Sequence, residues 1–421
     1  MKRFSVALLS VLLIGLGSSA MSPWPSPNVP LTVTVDTTVD SNAPAYQACT
    51  TAPNDCSLRG AISVANSNVT THDTIQVPAG TYTLTLIGTD DNNDFGDLDI
   101  WGPVTIVGTD PNRNNTMIEA GTAFDTGIDR VFHIFNTTEI VALSVLTIQF
   151  GKISSGAGGA GIYQDSQLSS VLLTQVTVVA NEVTNSSAGA GVLVKGDMTM
   201  DDTFIVENYT NGIGGGIYTA ANSHLTLNRS AVFENQANAG GGVYLSDDAL
   251  IRNVTFFHNE AVSGGGGIYQ LNDDSVLTMY HTTMLSDRLE SGPTAGWALS
   301  FDGSVYIYNS ILSVDAAEYP CENAGHIEGA NNISTNTGCG SSFIVTDPLT
   351  ALIDDNGGYT LTARLYFNSP AIDAGDVSHC LGEDQRGVAR PLDGNGDGLS
   401  ICDIGAFENP PAVAFLPFLR K

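Results

Sequence analysis

The stretch Asp393-Gly-Asn395-Gly-Asp397-Gly398 places oxygen-bearing side chains at alternate positions and a glycine at the sixth. A calcium loop begins this way. The hard cation takes carboxylate and amide oxygens, and the glycine permits the tight turn around it. Position twelve is Ile404 rather than glutamate, with Asp403 one place earlier. Asp393, Asn395, Asp397 and Asp403 are therefore candidate Ca²⁺ ligands, and a plain solvated acidic turn is the alternative. Paired acids recur at Asp201-Asp202, Asp247-Asp248 and Asp273-Asp274. An inverting glycosidase needs two carboxylates roughly 6.5–9.5 Å apart, but two of these pairs fall where turns are expected and solvated acids cost little. Arg229 and Arg252 could hold an anionic sugar, or could simply pair with nearby aspartates as surface arginines do. The seven histidines share no ligand spacing, and no catalytic set is assigned.

The elements that would position these groups are legible in a repeat. Gly-Gly-Gly-Ile/Val-Tyr occurs at Gly214–Tyr218, Gly240–Tyr244 and Gly265–Tyr269, with tyrosines 26 and 25 residues apart. An apolar residue three before an asparagine keeps the same beat at Val178/Asn181, Ile205/Asn208, Val232/Asn235 and Phe256/Asn259. A short period of β-type residues between glycine corners describes a chain wound into stacked coils, each burying the apolar face of the next. Within one coil Ile217-Tyr218, Leu225–Leu227 and Val232-Phe233 read as three strands. Hexapeptide periodicity, the mark of left-handed versions, is absent, so the expected fold is all-β: a right-handed, three-faced parallel β-helix. Ile217, Val243 and Ile268 should stack inside it, as should Leu225 and Leu227 with Leu250 and Leu277. The asparagines should form a ladder at a corner. Tyr218, Tyr244 and Tyr269 are sugar-stacking candidates if they face outward and structural if they pack at the corner.

The ends differ from the middle. Lys2-Arg3, an apolar run from Phe4 to Leu16 and small residues up to Ala20 read as a secretory signal peptide over 1–20, too short for a membrane span. A Pro/Ser-rich linker occupies 21–30. Leu58, Ile62 and Ala65 share one helical face, so a short helix around 55–67 should cap the open end of the stack. The β-helix then runs over 31–369, an Asp/Gly/Cys-rich C-terminal cap over 370–409 and a tail over 410–421. Six cysteines fall in local pairs, Cys49/Cys56, Cys321/Cys339 and Cys380/Cys402, and export predicts three short-loop disulfides. The formal charge of −29 makes nucleic acid a poor partner, since phosphate contacts need clustered Lys and Arg.

Cys56-Ser57-Leu58-Arg59-Gly60-Ala61-Ile62 resembles the CSLREA motif that opens a group of secreted bacterial β-helix proteins, with glycine where that motif has glutamate. The Gly-Gly-Gly-Ile-Tyr and Phe256…Asn259 marks resemble the repeats of polymorphic outer membrane proteins. Ser369-Pro-Ala-Ile-Asp-Ala-Gly375, Asp384-Gln-Arg-Gly387, Arg390-Pro391 and Cys402-Asp-Ile-Gly-Ala-Phe-Glu408 are similar to the choice-of-anchor Q domain. These resemblances imply a secreted or surface-displayed β-helix and bring no catalytic set. The expected function is a non-catalytic adhesin-like or scaffold role at the cell surface or outside the cell, with extracellular polysaccharide or the cell envelope as partner. The alternatives are a lyase or glycoside hydrolase acting on acidic glycans, and a carbohydrate-binding module. No cofactor beyond Ca²⁺ is expected, and no transmembrane segment after signal cleavage.

Overall fold

The computed structural model describes residues 29–135, 138–289, 298–314, 319–323 and 325–411. The expected signal peptide, most of the linker and nearly all of the tail lie outside the described residues. Within them the chain winds into parallel coils, and equivalent strands of successive coils pair in register. An eleven-stranded first sheet runs from Thr32–Thr34 to His326–Ala330, an eleven-stranded second sheet from Gly80–Thr83 to Phe343–Val345, and a nine-stranded third sheet from Leu98–Ile100 to Cys321–Asn323. A narrow fourth ribbon of two-residue strands, Lys152–Ile153 to Arg288–Leu289, runs between the second and third sheets. The expected three strands per coil are therefore joined by a short fourth.

Alternation decides what faces inward. Ile217, Val243 and Ile268 pair in sequence and are fully buried. Leu225 and Leu227 also point inward, but their partners above are Ala249 and Ile251, with Leu277 and Met279 above those. Leu250 instead pairs with Thr226 and lies on the outer side of the first sheet. Leu225 and Ala249 are 24 residues apart and Tyr218 and Tyr244 are 26, whereas Leu250 over Leu225 would need 25, and an odd shift turns a side chain to the opposite face. The apolar run from Leu143 to Ile148 is divided between two strands, Ile140–Ser144 and Thr147–Gln149, broken at Val145, whose φ is +54°.

The asparagine beat and the glycine runs turn out to be two halves of one corner. Asn181, Asn208, Asn235 and Asn259 are fully buried, and the Nδ2 of each donates to the side-chain oxygen of the next at 2.8–2.9 Å, ending on Asp287. Each Oδ1 above Asn181 also accepts the backbone N–H of the rung below, as Asn235 does from Asn208 at 3.1 Å. The ladder thus satisfies backbone groups that the turn leaves unpaired. Gly216 explains the third glycine of the repeat. A Cβ there would sit 3.1 Å from Asn235 Cγ and 2.6 Å from Gly242 O, so the backbone must be bare for the ladder to pass.

At the N-terminal end the helix Leu58–Asn66 is capped by Ser57, which accepts from Gly60 N at 2.9 Å, and it buries Leu58, Ile62 and Ala65 as expected. Gly60 has no room for a side chain, since a Cβ there would lie 2.0 Å from Tyr46 O. Beyond the coil holding Leu299–Phe301 and Ser304–Tyr308 there is one more full coil, then an antiparallel hairpin of Thr350–Asp354 and Thr362–Leu365. The C-terminal region that follows runs back along the side of the stack. Glu383 O accepts from Asn253, Gln385 from Thr255, Ala374 O from Asn331, and Thr283 Oγ1 accepts from Ala406 N. Its motif residues hold one another. Buried Arg390 donates to Asp403 O and Gly405 O, and Arg386 pairs with Asp384 while lying over the Phe407 ring. All three expected disulfides, Cys49–Cys56, Cys321–Cys339 and Cys380–Cys402, are present.

Candidate binding site on the third sheet

Outward-facing positions of the third sheet form one column. Asp99, His133, Tyr163, Leu193, Tyr218, Tyr244 and Tyr269 stand in register from coil to coil. Its upper part is aromatic packing. Tyr244 stacks on Tyr269 at 5.0 Å between ring centroids and meets Tyr218 at 5.7 Å. Tyr244 is 6% exposed, and burial pushes its hydroxyl up to about 12. These tyrosines face outward from mid-strand rather than packing at a corner, but their ring faces lie against one another, which leaves little free face for a sugar to stack on.

The lower part of the column is different, because the chain leaves the helix between Gly80–Thr83 and Leu98–Ile100 and the excursion carries Asp90, Asp91, Asp97 and its flanking residues over the sheet. Arg59, buried in the capping helix, fixes this loop. It pairs with Asp40 at 2.7 Å and donates to Gly96 O and Asp97 O at 2.8 Å each. Asp40 in turn accepts from Thr85 N and Leu86 N. The cap that closes the stack therefore also positions the site.

Two compartments result. The outer one is an open pocket of about 390 Å³ lined by Asp90, Asp91, Asp97, Asp129, Arg130 and Lys152, among others. Beside it Trp101 lies flat on Phe135, 4.1 Å between centroids and 4° between planes, and donates its indole N–H to Asp91 O. The indole is 39% exposed. The inner compartment surrounds His133, whose ring lies against Phe135 on one side and Tyr163 on the other. Asp97 Oδ2 takes a 3.1 Å bond from Arg130, while Asp165 takes bonds from Lys195 and Tyr163 at 2.5 and 2.7 Å.

Burial separates the acids. Asp97 is pushed up to about 7 by burial, with Asp129 adding to the rise, and Asp99 to about 8 by burial with Asp97 beside it. Burial and then Arg130 push His133 down to about 4, so the imidazole is neutral at physiological pH. Asp165 moves the other way. Burial works against its charge, but the bonds from Lys195 and Tyr163 outweigh this and hold it below the usual carboxylate range. Lys195 is held charged by the same pairing, against its partial burial.

The residues singled out by sequence do not meet here. Arg229 sits at the corner after the first sheet, bound by Asp202 at 3.0 Å and Glu383 at 2.9 Å. Arg252 ends its strand opposite Asn228, a different position in the coil. Asp247 accepts from Asn222 N and Asp248 from Val276 N, while Asp273 and Asp274 are exposed on a turn. Asp393, Asn395 and Asp397 do share one turn, their oxygens accepting amides of Gly396, Asp397 and Leu399. Asp403 is buried and accepts from the amides of Asp373 and Asn409. The cluster around His133 had no signal in the spacing, because its members come from a loop and three coils of unequal length.

A family model described as a right handed beta helix region matches residues 135–284 of the chain. The winding is thus of the hand expected from the repeat. No curated protein sequence matches the chain. Among solved structures it is similar to the pectate lyase Pel9A, at 13% identity over 90% of this chain and 96% of that one, with a TM-score of 0.45. A rice weevil pectin methyl esterase also aligns, at 13% identity over 74% of this chain and 92% of that one, with a TM-score of 0.33.

Proposed function

We propose that this right-handed parallel β-helix is a non-catalytic carbohydrate-binding protein of the cell surface or extracellular space, which takes a segment of polysaccharide against Trp101 and into the neighbouring pocket. The observation that carries the reading is the exposed indole of Trp101 bonded to the loop that supplies Asp91 to a pocket of mixed charge. A sugar presents an apolar ring face that stacks on an indole and a rim of hydroxyls that bond carboxylates, guanidinium and ammonium groups. Surface display accords with the disulfides and with the resemblance of both chain ends to the CSLREA and choice-of-anchor Q group. Among the described residues no helix is long and apolar enough to cross a membrane.

Affinity electrophoresis and calorimetry against soluble neutral polysaccharides and polyuronates test this. Trp101→Ala is expected to weaken binding at least about tenfold, as loss of a central aromatic anchor does. Asp91→Asn, at an exposed carboxylate, is expected to weaken it without changing the circular dichroism spectrum. Retention unaltered in both variants would remove the assignment. The acids whose ionisation burial separates favour catalysis as a second reading. Release of unsaturated product or reducing ends from a polyuronate, abolished by Asp97→Asn, would replace binding with chemistry.

For the Asp393 turn the proposal is calcium. Millimolar Ca²⁺ is expected to raise Tm by a few degrees through binding to the folded state alone, and Asp393→Asn to erase that rise. An equal Tm with Ca²⁺ and with EDTA would count against it.

A further inference from the structure

The groups around His133 are spaced too widely for hydrogen bonds. His133 Nδ1 lies 3.7 Å from Asp99 Oδ1 and 4.0 Å from Asp97 Oδ2. Neither imidazole nitrogen has a hydrogen-bond partner, nor does Asp99 Oδ1, although His133 is 6% exposed and Asp99 fully buried. Buried polar atoms are rarely left this way, since each carries its desolvation cost unrecovered.

The tautomer narrows the explanation. His133 Nε2 faces Asp165 Oδ2 at 3.6 Å, so a proton on Nε2 points at a carboxylate and the Nδ1 lone pair points at Asp97 and Asp99. A lone pair aimed at two acids is accommodated only with a cation between them, either a proton on one carboxyl or, with both ionised, a metal ion, and at 3.7 and 4.0 Å neither acid is close enough to donate a proton in a hydrogen bond. A carboxylate behind the far nitrogen of an imidazole is also the usual way a metal-ligating histidine is oriented. Bonds of about 2.1 Å to a tetrahedral ion put ligand atoms roughly 3.4 Å apart; the 3.7 and 4.0 Å seen from Nδ1 are somewhat wider, and the ligand atoms of all three residues lie within 4.8 Å of one another, so a small inward movement of the side chains would close them on an ion. The outer contacts are in place as well. Asp99 Oδ2 is held by Asn93 N at 2.7 Å, which leaves Oδ1 turned toward the imidazole, and Arg130 holds Asp97.

We propose that Asp97, Asp99 and His133 bind a divalent transition-metal ion of the zinc class, with a further coordination position toward the pocket that Asp97 lines. Imidazole nitrogen with two carboxylates is a borderline donor set that suits Zn²⁺ and its neighbours better than Ca²⁺, which prefers six to eight oxygens. The site stands apart from the carbohydrate reading and does not depend on it.

The test uses the full chain, stripped with chelator and then dialysed against Zn²⁺, with Co²⁺ as spectroscopic substitute. About one Zn²⁺ per chain is expected at low-micromolar free metal, with a higher Tm. His133→Gln and Asp99→Asn are each expected to weaken Zn²⁺ binding at least about tenfold, and Asp393→Asn to leave it unchanged. The Co²⁺ form of the unmutated protein is expected to show a strongly shifted, exchangeable imidazole N–H proton resonance from His133, a readout that needs no variant to fold. Absence of that resonance, no Zn²⁺ retained, or retention indifferent to both ligand variants would overturn the site.

Discussion

Gly241→Ala is expected to destabilise the protein by about 3 kcal/mol or to prevent its folding, the upper range for overpacking in a rigid interior. The added Cβ would lie 2.4 Å from Glu260 O and 2.6 Å from Gly266 O, both main-chain atoms of the coil above. Neither can yield alone. Glu260 N is bonded to Asn235 O at 2.8 Å, and Gly266 O accepts from Gly242 N at 2.9 Å, so relief at this corner means breaking the stack on both sides. Gly264 is the matched control. A Cβ there meets carbons of the Tyr269 ring at 3.1 Å, which can tilt, and Gly264→Ala should cost less than about 1 kcal/mol. Urea midpoints of the two variants decide the matter. Equal midpoints would mean that main-chain approach at the glycine corner does not hold the coils together.

Asp287→Asn is expected to stabilise the protein, and increasingly so as pH rises. Asp287 closes the asparagine ladder as an acid. It is fully buried, with burial pushing it up to about 8 from 3.8, against the bonds from Asn259 that favour its charge. The sign follows from proton counts. Between about pH 4 and pH 8 the folded chain keeps a proton that the unfolded chain has lost, so unfolding releases it and stability falls with rising pH. The contribution is whole below the unfolded value and gone once the pH passes about 8. Asparagine carries no charge at any of these pH values. Its Nδ2 can donate to Phe256 O, the counterpart of Val232 O, which accepts from Asn259 at 2.8 Å one coil below. An advantage of about 2 kcal/mol or more at pH 8, shrinking toward pH 4, is the expected denaturation result. A variant whose stability parallels the parent at every pH would show that Asp287 does not titrate in the ladder.

Both predictions concern residues inside the repeat, where the sequence is most readable. The interval between tyrosines, the apolar residue three before each asparagine and the glycine runs are local marks. Every coil solves the same packing problem with the same residue types, so Ile217 over Val243 over Ile268 and the Asn181–Asn259 ladder could be predicted from period alone. The cysteine pairs were equally legible, since six cysteines in three local pairs with short loops leave few partners. The capping helix followed from its apolar face.

Where coils vary in length the period no longer carries the register. Leu250 lies on the outer side because the first sheet pairs there at an interval of 24 residues, not the 25 that would set it over Leu225. The same irregularity, on a larger scale, hid the site. Asp99, His133 and Tyr163 stand in one column although 34 and 30 residues separate them, against 26 and 25 for the tyrosines above. The loop bearing Asp90, Asp91 and Asp97 belongs to no repeat, and Arg59, 38 residues before Asp97, sets its path. The C-terminal motif is a similar case. Its residues were recognisable as a set, but only the fold shows Arg390, Arg386 and Asp384 bonding within it while Glu383 and Gln385 reach back to Asn253 and Thr255. The sequence by itself determined the winding, because burial of alternating apolar residues acts between neighbours one period apart. The meeting of Asp97, Asp99, His133 and Trp101 was decided by tertiary structure alone, because main-chain pairing aligns strands whatever the length of the chain that loops between them.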